Sequence, residues 1–362
     1  MTSDARQLGG TPEQPLPVDL PCAWYGCDLQ HDDSWIWPLQ DHYVDELDAA
    51  LKAIDRAGLK ETEITRERFV IPEFSAFLQR MLHELEYGRG FVLMRGFPVE
   101  RYDYEALRRI YFGLGTHVGP AESQNIKGEL MQEVRDLGFD YRLSEHRGSM
   151  TSAELRPHCD ITDVVALLCI RTARTGGTST IRSAMTVYNE VLRDHPEYLD
   201  PLHRGFHFEL DGKGPTGAPD EVTHRIPVFS WHQGYLACRF NQKAIEGGAP
   251  KAGAPLAPIE QEAIDFVGRT AVRDDVELGM RFEPGDIQWL NNHVILHSRT
   301  GYEDHVEPER KRLLLRLWLN HAGSRPLDDA FANKALNGPR RGVLPRQATY
   351  SSQDLHAGQS SA

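Results

Sequence analysis

From about Leu155 onward, the chain is a succession of short apolar and β-branched runs separated by turn residues. This change of character constrains the fold more than any other feature of the sequence. The runs that predict strands are Val164–Ile170, Gly205–Leu210, His224–Trp231, Tyr235–Phe240, Ile287–Leu290 and Leu313–Asn320. Many short strands with turns between them predict a β-sandwich or a barrel.

Helical periodicity is concentrated before these runs. Two early segments carry apolar residues at helical spacing, and each of them is followed by a glycine that can end a helix. The predicted helices are His42–Ala57, Phe74–Tyr87, Tyr104–Leu114, Met185–His195 and Pro258–Thr270, with a short strand at Gly90–Gly96. We therefore expect a mainly β protein with flanking helices.

The chain is expected to divide into four parts. They are an N-terminal tail and loop (residues 1–40), a helical extension (41–88), the β domain (89–325) and a C-terminal tail (326–362). The two tails are rich in Pro, Gly, Ser and polar residues and lack apolar periodicity.

Composition excludes several classes of protein. The chain has 40 Lys and Arg against 53 Asp and Glu, a net charge of −13, and shows no basic stripe for nucleic acid. Its apolar runs are far shorter than the roughly 20 residues of a membrane span. Residues 1–21 show no secretory signal, and the five cysteines form no C-x-x-C pair. We expect a cytoplasmic protein with reduced thiols, no membrane or nucleic-acid partner, and homo-oligomerisation left open.

The His158-Cys-Asp160 motif enters the apolar run Val164–Ile170. In an extended chain, side chains two residues apart share a face, so His158 and Asp160 can point at one cation. Two histidines and one carboxylate on one face of a metal are typical of non-haem Fe(II) oxygenases. The motif alone favours a structural role, because His-x-Asp/Glu occurs five times in a chain with 16 histidines.

A second histidine can come from the segment Glu283–Thr300, which predicts a turn, a strand and a second strand closed by His297. His293 is a rival, because it also ends an apolar stretch and lies an even number of residues from His297. The residues by themselves leave both His293 and His297 open as the second histidine ligand.

Arg312 and Arg316 lie an even number of residues apart among leucines. On a strand they therefore share one face, and arginines facing an apolar interior need anionic partners. Those partners are either protein carboxylates or the carboxylate of a bound co-substrate, which the guanidinium fork can grip with two hydrogen bonds.

Taken together and in order, these motifs resemble the taurine dioxygenase/2,4-D dioxygenase (TauD/TfdA) family. The matching motifs are His158-x-Asp160, Gly176-Gly-Thr-Ser-Thr180, Pro284-Gly-Asp286, Asn292-x₄-His297-x-Arg-Thr300 and Arg312-x₃-Arg316. The resemblance runs from about Gly90 to Asn320. It implies a double-stranded β-helix (jelly roll) with Fe(II) and 2-oxoglutarate as cofactors.

The resemblance also implies roles for individual residues. His158, Asp160 and His297 would bind iron, with His297 fitting the family pattern better than His293. Arg312 would grip the distal carboxylate of 2-oxoglutarate, helped by the hydroxyl of Ser179, where the family usually has threonine. Cys159 replaces the usual threonine of the iron motif without removing a ligand.

Arg316 is expected to meet either the iron-bound end of 2-oxoglutarate or an acid group of the substrate. In the second case, polar side chains such as Gln124 and Asn125 would help to bind a substrate that carries a carboxylate, sulfonate or similar anion.

The function that this implies is the oxidation of a small, anionic organic substrate by O₂, with release of succinate and CO₂. Hydroxylation is the expected outcome, although desaturation or ring closure would use the same residues. Two alternatives stay open from the sequence: an oxygenase that modifies a partner protein, and a non-enzymatic, cupin-like metal-binding protein.

Overall fold

A computed structural model describes residues 10–11, 14–138, 151–331 and 342–346 of the chain. Its helices are α1 (Gly26–Leu29), α2 (Asp41–Arg56), α3 (Pro72–Tyr87), α4 (Tyr104–Val118), α5 (Ala184–Asp194), α6 (Leu199–Arg204), α7 (Gln242–Lys251) and α8 (Pro258–Ala271). Its strands are β1 (Ile36–Pro38), β2 (Phe91–Arg95), β3 (Met131–Val134), β4 (Leu155–His158), β5 (Val164–Arg171), β6 (Thr175–Gly176), β7 (Ser179–Ser183), β8 (Phe206–Glu209), β9 (Val222–Ile226), β10 (Phe229–His232), β11 (Tyr235–Cys238), β12 (Leu278–Met280), β13 (Ile287–Asn291), β14 (Ile295–Arg299), β15 (Tyr302–Glu303) and β16 (Leu313–Leu319).

Two sheets form the centre of the fold. The larger sheet has six strands in the order β1-β2-β13-β5-β16-β3, and the smaller has four in the order β12-β7-β14-β4. Three two-stranded ribbons, β8-β9, β10-β11 and β6-β15, extend from them. A search of the described helices finds none with the length and apolarity needed to cross a lipid bilayer.

Both faces of the larger sheet are covered, and this explains its continuous apolar runs. On β5, Val164, Ala166 and Leu168 pack into one core with α2, α3 and α4. The alternate residues Val165 and Cys169 belong to a second core, which includes the smaller sheet and helices α5 and α8. The strand period of two therefore separates an outer helical core from an inner core between the sheets.

Strand β16 shows the same alternation, and it determines where the two arginines point. Leu315 and Leu317 pack into the outer core, whereas Leu314 and Trp318 belong to the inner side. Arg316 is two residues from each of Leu314 and Trp318 and therefore faces the same side, the interior between the sheets.

Some elements differ from the expectation. Residues 18–38, expected as tail and loop, contribute buried Trp24 and Trp35 to the inner core, and β1 pairs in parallel with β2. The expected strand His224–Trp231 is two strands, β9 and β10, separated at Pro227. Proline has no N–H for a ladder hydrogen bond, which accounts for the interruption.

The turn Pro284-Gly-Asp286 leads into β13 and contacts residues at the end of the neighbouring strand β2. Gly285 has φ +91°, and a Cβ there would lie 2.2 Å from the carbonyl oxygen of Phe97. Asp286 is fully buried and accepts two hydrogen bonds of 2.9 Å from the Arg95 guanidinium, plus one of 2.8 Å from the Glu283 amide. The Asp286 carboxylate therefore fixes the turn from which β13 starts. In the chain, β13 precedes β14, the strand that carries His297.

We expect Asp286→Asn to lower the free energy of unfolding by about 2 kcal/mol, because an amide cannot accept both guanidinium hydrogen bonds. Glu283→Gln is the matched control, since Glu283 pairs with the same Arg95 at 3.2 Å but its side chain is 64% exposed. Denaturant unfolding should detect less than about 0.5 kcal/mol for the control. Equal losses would mean that the buried pair has no special role.

Candidate active site

His158 and His297 are brought together by strand pairing. Strands β4 and β14 are antiparallel neighbours, and these two histidines are register partners. Directly opposed residues of an antiparallel pair extend their side chains to the same face. The two imidazole rings accordingly lie with their centroids 4.4 Å apart.

Asp160 follows β4 in a turn that Asn292 holds in place. The Asn292 side chain accepts a hydrogen bond from the Asp160 amide at 2.9 Å and donates to the carbonyl oxygens of Asp160 and Thr162 at 2.6 and 2.9 Å. Asn292 thus ties the turn that carries the carboxylate to the β13–β14 connection, which leads to His297.

The three side chains form a compact ligand set. One ligand atom from each of His158, Asp160 and His297 lies within 4.8 Å of the others. The Asp160 carboxylate oxygens are 3.9 Å from His158 Nε2 and 3.7 Å from His297 Nε2. His158 Nδ1 donates to the Arg156 carbonyl at 2.9 Å, so its Nε2 keeps the lone pair that a metal requires. The donor set fits Fe(II).

The protonation states also suit a metal. Burial by itself would raise the pKa of Asp160, but Arg316 and the two imidazoles outweigh it and lower that pKa to about 2. Burial, followed by the neighbouring His158, lowers the pKa of His297 to about 3. At neutral pH the site therefore presents an ionised carboxylate and a neutral His297, which are the forms that bind metals.

The Arg316 guanidinium contacts side chains of the protein itself. Its Nη1 lies 3.3 Å from Asp160 Oδ2, which also accepts a 2.8 Å hydrogen bond from Trp318 Nε1. Its Nε donates to Gln124 at 2.8 Å and its Nη2 to Gln132 at 3.0 Å. The pairing with a protein carboxylate, one of the alternatives that the sequence left open, is thus present in the structure. The expected contact of Arg316 with 2-oxoglutarate or with a substrate anion stays a prediction.

Gln124 and Asn125 do not line the cavity around the metal ligands. Gln124 is fully buried behind Arg316, and its amide also donates to the Arg316 and Leu130 carbonyls. The Asn125 side chain closes a turn by hydrogen bonding to the Lys127 amide and to Glu129. In this structure Gln124 supports Arg316 and Asn125 shapes a loop, and the expected contact of these two residues with substrate stays a prediction.

His293 has another partner. Its Nε2 is 2.8 Å from Asp163 Oδ1, and this buried pair lies beside the turn that carries Asp160. The ring is therefore engaged away from the ligand set.

Arg312 faces the same cavity but has no such pairing. Its Nη1 is buried and has no hydrogen-bond partner among the described residues, and its guanidinium stacks on Tyr302 at 5.1 Å. Burial lowers the pKa of Arg312. A Cβ on Gly177 would lie 3.2 Å from Arg312 Nε, so the glycine of the Gly-Gly motif leaves room for the guanidinium. Ser179 lines the cavity nearby and exchanges hydrogen bonds with Gln288.

The ligand set opens into a cavity of about 300 Å³ between the two sheets. Trp318, Gln132 and Arg239 are three residues of this region that sequence reasoning did not single out. For Trp318 a signal existed, because it continues the even spacing of Arg312 and Arg316 on β16. Gln132 and Arg239 lie on other segments, and no local pattern connects them to the motifs.

Comparison with known proteins gives a family match and several relatives. The model of the family described as "Taurine catabolism dioxygenase TauD, TfdA family" matches residues 55–318. The chain is 30% identical to the FR-33289 synthase of Streptomyces rubellomurinus over 308 residues, which are 84% of this chain and 90% of that protein. It is 30% identical over 167 residues to the uridine-5'-phosphate dioxygenase of a Streptomyces species, covering 44% of this chain and 57% of that protein.

Solved structures agree with the predicted fold. An asparagine oxygenase in complex with Fe(II), 2S,3S-3-hydroxyasparagine and succinate superposes with a TM-score of 0.60 at 15% identity, covering 79% of this chain and 93% of that one. The non-haem iron oxygenase OrfP in complex with Fe and alpha-ketoglutaric acid superposes with a TM-score of 0.55 at 14% identity, covering 81% and 99%. The expected double-stranded β-helix is confirmed.

We expect Asn292→Ala to weaken metal binding by about 10- to 100-fold, because supporting hydrogen bonds that orient a ligand have effects of this size. Asn291→Ala is the matched control. It removes a neighbouring buried amide that bonds to Leu85, Glu86 and the His293 N–H, and not to the turn that carries Asp160. Calorimetric titration with Fe(II) under anaerobic conditions measures both. Equal weakening by the two variants would attribute the effect to general loss of stability.

Proposed function

The chain belongs to the taurine catabolism dioxygenase TauD/TfdA family, and on this basis we propose which residues carry its reaction. It is an Fe(II)- and 2-oxoglutarate-dependent dioxygenase that acts on a small substrate. Bound iron and 2-oxoglutarate supply the oxidising power when O₂ reacts, with release of succinate and CO₂. The protein supplies the ligands, the orientation and a cavity poor in water.

We assign the iron ligands to His158, Asp160 and His297. The single observation that supports this assignment most is the convergence of their ligand atoms within 4.8 Å on one side of the cavity. Arg316 and Trp318 hold the second oxygen of Asp160, so that the carboxylate keeps one orientation toward the metal. Such a site leaves metal positions open on the cavity side.

We assign the distal carboxylate of 2-oxoglutarate to Arg312, with the Ser179 hydroxyl as a second contact. A buried guanidinium with an unsatisfied nitrogen is costly unless an anion binds there. This observation separates the proposed enzyme from a cupin-like metal-binding protein, because such a protein has no need of an inward, unpaired arginine. The apolar residues Leu167, Leu314 and Phe282 line the same cavity and limit the access of water.

The proposed reaction is hydroxylation of a small organic molecule. A hydroxylated amino acid and succinate are bound together in the asparagine oxygenase of the same fold. A cavity of about 300 Å³ favours a small molecule over a segment of a partner protein. We also propose a cytoplasmic location, since all five cysteines are free thiols and four of them are buried.

The iron assignment predicts different effects for two neighbouring histidines. The Fe(II)–2-oxoglutarate complex of the wild type should show a weak visible charge-transfer band under anaerobic conditions. His297→Ala should abolish the band because a ligand is lost, whereas His293→Gln should keep it, because glutamine can still donate to Asp163. The opposite pattern would make His293 the ligand and refute the assignment.

The co-substrate assignment predicts that Arg312→Ala weakens 2-oxoglutarate binding about 10- to 150-fold, since charge-assisted hydrogen bonds contribute roughly 1.5–3 kcal/mol. Binding of Fe(II) alone should be retained. Ser179→Ala should act in the same direction but less, and Arg312→Lys should recover part of the loss, because it keeps the charge without the fork. Calorimetry with 2-oxoglutarate measures all three. Unchanged affinity in Arg312→Ala would leave the proposal without its main support.

A further inference from the structure

The cavity is basic although the chain is acidic. Seven lysines and arginines line it against three carboxylates among the described residues, in a chain with a net charge of −13. Fe(II) and doubly charged 2-oxoglutarate would together add no net charge. The positive excess therefore remains after both cofactors are bound, and it points to an anionic substrate.

Most of these cations have assigned partners. Arg316 is paired with Asp160, and Arg299 donates from Nη2 to the Thr151 carbonyl at 2.9 Å. Lys213 is 3.2 Å from Asp211. Arg312 is assigned to 2-oxoglutarate. The Arg239 side chain has no such partner among the described residues.

Arg239 lies on a segment that runs antiparallel to the iron-binding motif. His158 and Asn241 form a β-bridge, and the Cys159 amide donates to the Phe240 carbonyl at 2.8 Å. Cys159 and Phe240 are buried in the inner core, so the alternate residues face the other way. Arg239 and Asn241 accordingly line the cavity together with His158 and Asp160.

The Arg239 side chain forms no hydrogen bond or ion pair with any residue in the described part of the chain, although it lies deep enough for burial to lower its pKa to about 10. Every carboxylate that lines the described part of the cavity is engaged elsewhere: Asp160 with Arg316, Asp211 with Lys213, and Glu209 with Lys251 at 3.1 Å. An arginine that lines the cavity without a protein partner is available to pair with an anion that binds there.

We propose that Arg239 binds the anionic group of the substrate, and that this group is a phosphate ester or a phosphonate. The inference rests on the proposed function and adds the substrate class to it. Arg239 thereby takes the role that the sequence had suggested for Arg316.

The surroundings of Arg239 support a phosphorus oxyanion. Helix α7 begins at Gln242, and its first residues line the same cavity. The Asn241 side chain caps the Ala244 N–H at 3.1 Å. The other N–H groups of this first helical turn have no intrahelical acceptors and favour phosphate, as does the two-pronged guanidinium. A phosphate group is also named in the substrate of one relative, the uridine-5'-phosphate dioxygenase.

The test measures binding of propylphosphonate and propyl phosphate to the anaerobic enzyme loaded with Fe(II) and 2-oxoglutarate, by calorimetry. Dimethyl propylphosphonate is the neutral control, and propanesulfonate and butanoate report other anions. Arg239→Gln should weaken binding of the phosphorus acids at least tenfold, roughly the loss of one charge-assisted contact. Arg239→Lys should restore part of it.

Arg156→Gln is the matched control, because Arg156 lines the same cavity but is exposed and makes no side-chain pairing in the described structure. Screening by solvent should keep its effect to about twofold. The melting temperature of Arg239→Gln should stay about the same, because the Arg239 side chain has no hydrogen bond or ion pair among the described residues to lose, and its 2-oxoglutarate affinity should not change.

Three results would overturn the inference: equal losses in Arg239→Gln and Arg156→Gln, wild-type binding of the neutral ester as tight as that of the acids, or no binding of either phosphorus acid. Tighter binding of propanesulfonate or butanoate than of the phosphorus acids would overturn the choice of phosphorus. A failure of the proposed function is distinguishable, because the charge-transfer band would then be missing from the wild type before any probe is added.

Discussion

The buried carboxylate of Asp160 is the group on which the rest of the site depends. It is ionised although it is buried, and this state is stable because Arg316 and Trp318 both donate hydrogen bonds to it. This requirement determines which side chains the larger sheet must place on the side that faces the cavity. β16 must present a cation and an indole N–H inward at alternate positions, and Gln124 and Gln132 must satisfy the remaining guanidinium nitrogens.

The three ligands also depend on two different long-range contacts. His158 and His297 meet because β4 and β14 pair in one register, and a shift of one residue would turn a ring to the opposite face. Asp160 is not on a strand, so strand pairing cannot place it. The side chain of Asn292 does this instead, by bonding to the backbone of the turn. The site therefore combines strand register with one buried amide.

Local spacing in the sequence predicted that Arg312 and Arg316 share a face, and the alternation of β16 agrees with this. His158 and Asp160 do meet, but Asn292 and not strand alternation places Asp160. Local spacing could not predict partners, because the partner of a side chain comes from a segment that is distant along the chain. Arg316 illustrates this: the alternation of β16 predicts an inward guanidinium, but only the fold shows that Asp160, 156 residues away, neutralises it. Gln124 was assigned to the substrate for the same reason, and Arg239 was overlooked.

Three of the arginines that line the cavity, Arg316, Arg312 and Arg239, have different partners, and this difference divides the cavity into regions. Arg316 is neutralised within the protein and so can stabilise a metal ligand in every state of the enzyme. Arg312 and Arg239 form no ion pair with a carboxylate among the described residues, so each favours states in which a separate anion is present. A cavity that carried only one uncompensated arginine could not hold the co-substrate and an acidic substrate at the same time without competition between them. Two such arginines, one next to β16 and one next to the segment opposite His158, allow both anions to bind on different sides of the metal ligands.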